Sequence, residues 1–186
     1  MNFIQTDLAG VVILEPRKFE DDRGFFAETW HRAKFADGGI DVDFVQENQS
    51  LSRHVGTVRG LHCQLEPHAQ AKLVRVVRGE IFDVAVDVRA GSPTYGKWTG
   101  ALLSAENMRQ LFIPTGFLHG FVTRLPDTEV VYKCSDFYAP AHERSVRFDD
   151  PDIGINWGVD FKDAILSDKD ARAPTLRAFS SDEVLT

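Results

Sequence analysis

Arg59-Gly60-Leu61-His62-Cys63-Gln64, followed ten residues after His62 by Lys72, sets a proton acceptor beside two cations. An imidazole changes charge near neutral pH, whereas guanidinium and ammonium groups remain fixed positive charges. Such a set suits the removal of a proton next to a carbonyl, with a cation meeting the negative charge that develops on the oxygen. A second histidine stands in Pro114-Thr115-Gly116-Phe117-Leu118-His119, where a Pro-x-Gly turn leads into a strand. Arg23, Arg59, Lys72, Lys169 and Arg172 are the cations that could hold an anionic ligand locally. The whole chain is acidic, with a formal charge of −7, and has no Lys/Arg block. That balance opposes nucleic-acid backbones and anionic membranes as partners.

The elements that must position these groups read as β-structure. In residues 81–88 the even positions Phe82, Val84, Val86 and Val88 are apolar and the odd ones carry Asp83 and Asp87, which predicts a strand with one buried and one polar face. Comparable runs fall at 11–14, 25–28, 44–50, 55–64, 72–77, 98–104, 109–113, 117–123 and 129–137. Asp21-Asp22-Arg23-Gly24, Arg89-Ala90-Gly91-Ser92-Pro93 and Leu125-Pro126-Asp127 supply turns between them. The expectation is an all-β jelly-roll barrel of antiparallel strands. Two short helices are expected, one at 31–35 and one starting at the capping box of Ser167 and ended by Pro174.

A chain of 186 residues fits a single domain, 1–186, and its 43% hydrophobic and 26% charged residues are those of an ordinary globular protein. The first residues contain Asp7 and no basic flank, and no run of about 20 apolar residues occurs, so a cytoplasmic setting is expected. Cys63 and Cys134 lie far apart without a Cys-x-x-Cys pair, which predicts neutral packing roles and a reduced environment.

The Pro114 to His119 segment resembles the second signature of the cupin jelly roll. The first cupin signature usually provides His-x-His and then a Glu, which bind a metal together with the second-signature histidine. Here those places read His62-Cys63-Gln64 and, counted back from Gly79, Lys72. Transition metals take neutral imidazole and anionic carboxylate donors, and an ammonium group repels them. No metal and no other cofactor is therefore expected. Lys72, Val74 and Val76 share one strand face, and His119 and Phe121 share another. Arg59 and His62 have opposite parity, so they reach one pocket only if Gly60 marks a bulge or the strand frays there.

From Phe19 to Leu176 the chain resembles the dTDP-4-dehydrorhamnose 3,5-epimerases, metal-independent cupins of deoxysugar nucleotide synthesis. The likeness is carried by Phe19-x-Asp21-x-Arg23-Gly24-x-Phe26-x-Glu28, Gln46-x-Asn48-x-Ser50, Arg59-Gly60-Leu61-His62-x-Gln64 and Gly79-x-Ile81-x-Asp83-Val84-Ala85-Val86-Asp87. It continues through Ser92-Pro93-Thr94-x-Gly96, Ile113-Pro114-x-Gly116-Phe117-x-His119-Gly120-Phe121, Tyr132-Lys133, Tyr138-x-Pro140 and Leu166-Ser167-x-Lys169-Asp170. Gly158 stands after Trp157 where the family commonly has Pro.

The resemblance implies a dTDP-linked 4-keto-6-deoxy sugar as substrate, His62 as base, Tyr132 as acid, Asp170 as the partner of His62, and Lys72 at the ketone oxygen. It implies that Arg23 and Arg59 grip the diphosphate, that Tyr138 stacks on thymine, and that His119 lines the sugar or diphosphate pocket. Glu28, Glu47, Asn48, Glu143 and Lys169 match positions that contact the nucleotide sugar. Members are homodimers whose N-terminal segment reaches the partner's site. From the residues alone, Asp170 reads first as a helix cap and His119 as a satisfied core histidine, while Lys72 reads as a strand-edge lysine in water and Tyr138 as packing. Three other functions compete: an epimerase acting only at carbon 3 or carbon 5, a metal-dependent cupin oxygenase or isomerase using His62, Gln64 and His119, and a non-catalytic nucleotide-sugar binding module.

Overall fold

A computed structural model describes residues 1–183, with side chains through residue 179. The last three residues of the expected 1–186 domain lie outside the described residues. In chain order the strands are β1 (Asn2–Gln5), β2 (Val12–Glu15), β3 (Lys18–Asp21), β4 (Gly24–Ala27), β5 (Gln46–Ser52), β6 (Val58–Gln64) and β7 (Lys72–Arg78). They continue as β8 (Glu80–Asp87), β9 (Trp98–Ser104), β10 (Gln110–Ile113), β11 (Phe117–Thr123), β12 (Thr128–Cys134) and β13 (Glu143–Ser145). The α-helices are α1 (Arg32–Asp37), α2 (Asp168–Ala171) and α3 (Leu176–Glu183).

The strands pair antiparallel in two main sheets, ordered β1-β2-β10-β7-β12-β5 and β13-β6-β11-β8-β9, with β3-β4 as a separate hairpin. Between the sheets lies an apolar layer that includes Val74, Val76, Ile81, Ala85, Leu111, Phe117, Phe121 and Val130. The same strand faces that supply this layer also supply Lys72, Tyr132 and His119, so the polar groups sit at one end of an apolar barrel interior. Behind the second sheet the C-terminal residues Phe148, Ile155, Trp157 and Leu176 pack on Val84, Val86 and Leu118. Behind the first, Phe35 of α1 covers Leu14, Leu73 and Phe112. The all-β jelly roll with a few short helices is thus as the sequence indicates.

Each of the ten anticipated runs forms a strand, with bounds shifted by one to three residues at most ends. The polar face expected for β8 requires correction. Ile81, Asp83, Ala85 and Asp87 are all fully buried, as are Val84 and Val86. β8 lies inside the second sheet with the C-terminal segment on one face and the barrel interior on the other, so from Asp83 to Asp87 neither face meets water. Each buried carboxylate has a local partner: Asp87 accepts from Arg89, Ser92 and Thr94 of the following turn, and Asp83 from His119.

Candidate active site

The parity conflict between Arg59 and His62 is resolved by a bulge in β6. His119 pairs with His62 and Phe121 with Arg59, so Gly60 and Leu61 together face Gly120 alone. Gly60 has φ +131°, and a Cβ there would lie 2.5 Å from the Cα of Gly120. Only glycine fits both the conformation and the close approach of the strands. The extra residue turns Arg59 and His62 toward one cavity.

That cavity, of about 460 Å³, is lined by Lys72 and Tyr132 from the first sheet, Arg59, His62 and His119 from the second, and Lys169 and Asp170 from α2. A second lobe of about 440 Å³ shares His62, Lys72 and Tyr132 with it and adds Asn48, Tyr138 and Glu143. Each lobe falls in the range of small-molecule sites.

His62 Nε2 lies 2.5 Å from Asp170 Oδ1, and Asp170 is 4% exposed. Burial pushes the Asp170 carboxyl up, but hydrogen bonding and charge from His62, with help from Ser167, outweigh it and hold the group below the usual carboxylate range. An ionised carboxylate accepts, so Nε2 carries the hydrogen and Nδ1 keeps the lone pair a base requires. The cap reading holds as well: the backbone N–H of Asp170 donates to Ser167 Oγ at 3.1 Å. Backbone and side chain of one residue serve both purposes.

Burial raises the Tyr132 phenol above its ordinary value, so it is a proton donor at neutral pH. Burial lowers the Lys72 ammonium, and nearby negative groups oppose that shift. The thiols around Lys72 are neutral, since burial lifts Cys63 to about 11 and raises Cys134 also. His119, 7% exposed, meets Asp83 Oδ1 through Nε2 at 2.7 Å, and burial lowers its basicity. It is therefore both a satisfied core histidine and a wall of the cavity.

In the second lobe Tyr138 Oη donates to Glu143 Oε2 at 2.8 Å, and Lys169 Nζ pairs with the same oxygen at 2.6 Å. Tyr138 remains 54% exposed, leaving ring surface for stacking. Gln64, a donor in the metal-dependent alternative, is committed elsewhere: its Nε2 donates to the carbonyls of His68 and Phe137, and its Oε1 accepts from Ala139 N–H. Among the described residues no group of three or more His, Cys, Asp or Glu side chains is arranged to hold a metal ion.

The sequence profile of dTDP-4-dehydrorhamnose 3,5-epimerase matches residues 5–178. The chain belongs to the dTDP-4-dehydrorhamnose 3,5-epimerase family. It is 52% identical over 176 residues to the dTDP-4-dehydrorhamnose 3,5-epimerase of Sinorhizobium fredii, covering 95% of this chain and 90% of that one. Its fold superposes with a TM-score of 0.92 on a Legionella pneumophila dTDP-6-deoxy-D-glucose-3,5-epimerase solved with dTDP-4-keto-L-rhamnose, at 43% identity and covering 97% and 95% of the two chains. A 3′-monoepimerase from Streptomyces bikiniensis, solved with dTDP-quinovose, gives 0.86 at 38% identity, covering 95% and 88%.

As an isomerase of the 3,5-epimerase family, the chain does not bring all its anticipated site residues to the cleft. Arg23, at the β3-β4 turn, has a side chain 90% exposed and pairs with Asp21. Glu28 pairs with Lys34 and lines a separate cavity with Phe19 and Phe26. Glu47 alternates with Asn48 on β5, so it faces outward and pairs with Lys133. Arg172 donates to the Asp168 carbonyl. The residue the sequence reading passed over is Asp83, whose place on the supposed polar face of β8 concealed its position behind His119.

Proposed function

We propose that this chain inverts carbons 3 and 5 of dTDP-4-keto-6-deoxy-D-glucose, giving dTDP-4-keto-L-rhamnose. The observation that carries the reading is the His62–Asp170 couple on one wall of a cavity with Tyr132 and Lys72 on the other. His62 removes the proton next to the ketone through Nδ1, and Asp170 steadies the imidazolium that forms. Lys72 meets the enolate oxygen, and Tyr132 returns a proton from the opposite face. One well-placed donor of this kind contributes about 3–4 kcal/mol in the transition state. Base, acid and cation are all side chains, so the reaction calls for no metal and no cofactor.

Arg59, His119 and Lys169 are read as holding the sugar diphosphate in the first lobe, and Asn48, Tyr138 and Glu143 as holding the nucleoside in the second. Arg23 and Glu28 fit a role across a homodimer. They lie on or beside a hairpin outside both main sheets, with Phe19, Phe25 and Phe26 exposed on it, and among the described residues β5 is the edge strand of its sheet. Glu47 would need the same partner to reach ligand. A nucleotide-sugar substrate supports a cytoplasmic setting; among the described residues no helix is long and apolar enough to cross a membrane.

The likeness to a 3′-monoepimerase supports a second reading, in which only one carbon is inverted. Incubation with the keto sugar nucleotide in deuterium oxide separates the two. Deuterium at both carbons in an L-configured product is expected. Label at carbon 3 alone would establish the monoepimerase, and no label at all would leave a binding module.

A further inference from the structure

One buried carboxylate in the barrel has no part in the chemistry described so far. Asp83 is fully buried in the middle of β8, on the inner face it shares with Ile81 and Ala85. Its Oδ1 takes the His119 hydrogen bond at 2.7 Å, and its Oδ2 has no hydrogen-bond partner among the described residues. A buried carboxylate with a neutral imidazole as its sole partner is costly unless a cation sits within reach of its field.

Lys72 is that cation. Its side chain opens on the cavity that His119 lines, and Asp83 is among the groups whose charge acts on it. The other groups facing Lys72 come from β6, β11, β12 and β13: Cys63, His62, His119, Tyr132, Cys134 and Glu143. Both thiols and the phenol are neutral at working pH, for the reasons of burial given above. Glu143 is already paired with Lys169 at 2.6 Å, and Asp170 with His62. Asp83, held behind His119, is the carboxylate acting on Lys72 that pairs with no Lys or Arg among the described residues.

We propose that Asp83 is a positioning residue for the epimerisation, its buried charge behind His119 keeping Lys72 an ammonium ion so that the group meeting the enolate oxygen stays positive. The proposal rests on the reading of Lys72 given under the proposed function. Burial favours the neutral amine, which could still donate a hydrogen bond but would bring no charge to the oxygen. A fixed anion across the barrel opposes that loss without touching substrate.

Asp83→Asn tests this, because the amide oxygen still accepts from His119 at nearly the same volume while the charge is gone. Removing a negative charge favours the neutral amine, so the alkaline fall of kcat for solvent-deuterium exchange moves to lower pH, by about one unit or tenfold in ammonium population. A merely structural Asp83 would lower the melting temperature and leave that limb in place; a folded variant with an unmoved limb overturns the proposal. Should Asp83→Asn fold poorly, Lys72→Met supplies the complementary test. It leaves the Asp83 charge uncompensated, so the double variant Asp83→Asn/Lys72→Met melts higher than Lys72→Met alone. Equal or lower melting of the double variant refutes the coupling. If wild type exchanges no label, the epimerase reading fails separately, and the melting comparison still decides whether the two charges are coupled.

Discussion

Gly60→Ala tests whether the β6 bulge sets the site. At φ +131° an L side chain is strained, at about 1–3 kcal/mol. Its Cβ would also lie 2.5 Å from Gly120 Cα and 2.8 Å from the His119 carbonyl oxygen. Both obstacles are backbone, so no rotamer change relieves them. Forcing β6 from β11 by the needed amount is overpacking, at about 1–3 kcal/mol more. The two together give about 2–6 kcal/mol, which for a chain of this size lowers the melting temperature by about 4–24 °C. Activity falls further than stability, because His62 and Arg59 flank the bulge, and a displacement of about 1 Å at a reacting group costs about 10²-fold. Thermal unfolding and solvent-deuterium exchange read the two effects on one preparation. A variant that melts within about 2 °C of wild type and exchanges at the same rate would refute the role given to the bulge.

Asp170→Asn lowers exchange by about 10²–10⁴-fold while melting changes little, because the Ser167 cap is made by backbone N–H and survives; a large loss of stability with intact exchange would return Asp170 to a purely capping role. Lys72→Met lowers kcat by about 10²–10³-fold with a smaller change in KM, measured by steady-state epimerisation, and the opposite split would make Lys72 a binding residue. Asp87→Ala destabilises by about 3–5 kcal/mol at neutral pH, since it strands the Arg89, Ser92 and Thr94 donors around a buried position. Burial pushes the Asp87 carboxyl up, but the hydrogen bonds from Arg89, Ser92 and Thr94 win and hold it far below its usual range. Its contribution is therefore complete above the ordinary carboxylate range and fades as pH falls through the folded value. Urea unfolding of wild type and variant should show the gap narrowing in acid, and a gap that widens would contradict the assignment.

The strands were legible because turn residues bracket alternating or continuous apolar runs, and β9 and β11 even keep their bounds. β1, β3 and β13 carry no such signal: they are short, bury no residue fully, and lie at sheet edges or in the separate hairpin, where no buried face imposes a period. Helix α2 does end before Pro174, and α3, which begins just after it, was not found. His62, Lys72, Tyr132 and Asp170 were found in sequence, and their convergence depends on Gly60, which parity alone exposed as a requirement. Asp83 was not found. Alternation assigned it to a polar face, and nothing local shows that the C-terminal segment around Trp157 covers the opposite side of β8 and leaves the odd positions facing the barrel interior. Arg23, Glu28 and Glu47 illustrate a further limit, since motif matching names them while this chain's own fold turns them away from the cleft.

The claim on which the rest stands is that the His62 imidazole removes the proton beside the ketone. Wild type and His62→Ala, each incubated with the keto sugar nucleotide in deuterium oxide, should differ sharply: label at both carbons in wild type, and nearly none in the variant, with nucleotide affinity little changed. Exchange in His62→Ala as fast as in wild type would show that another group is the base.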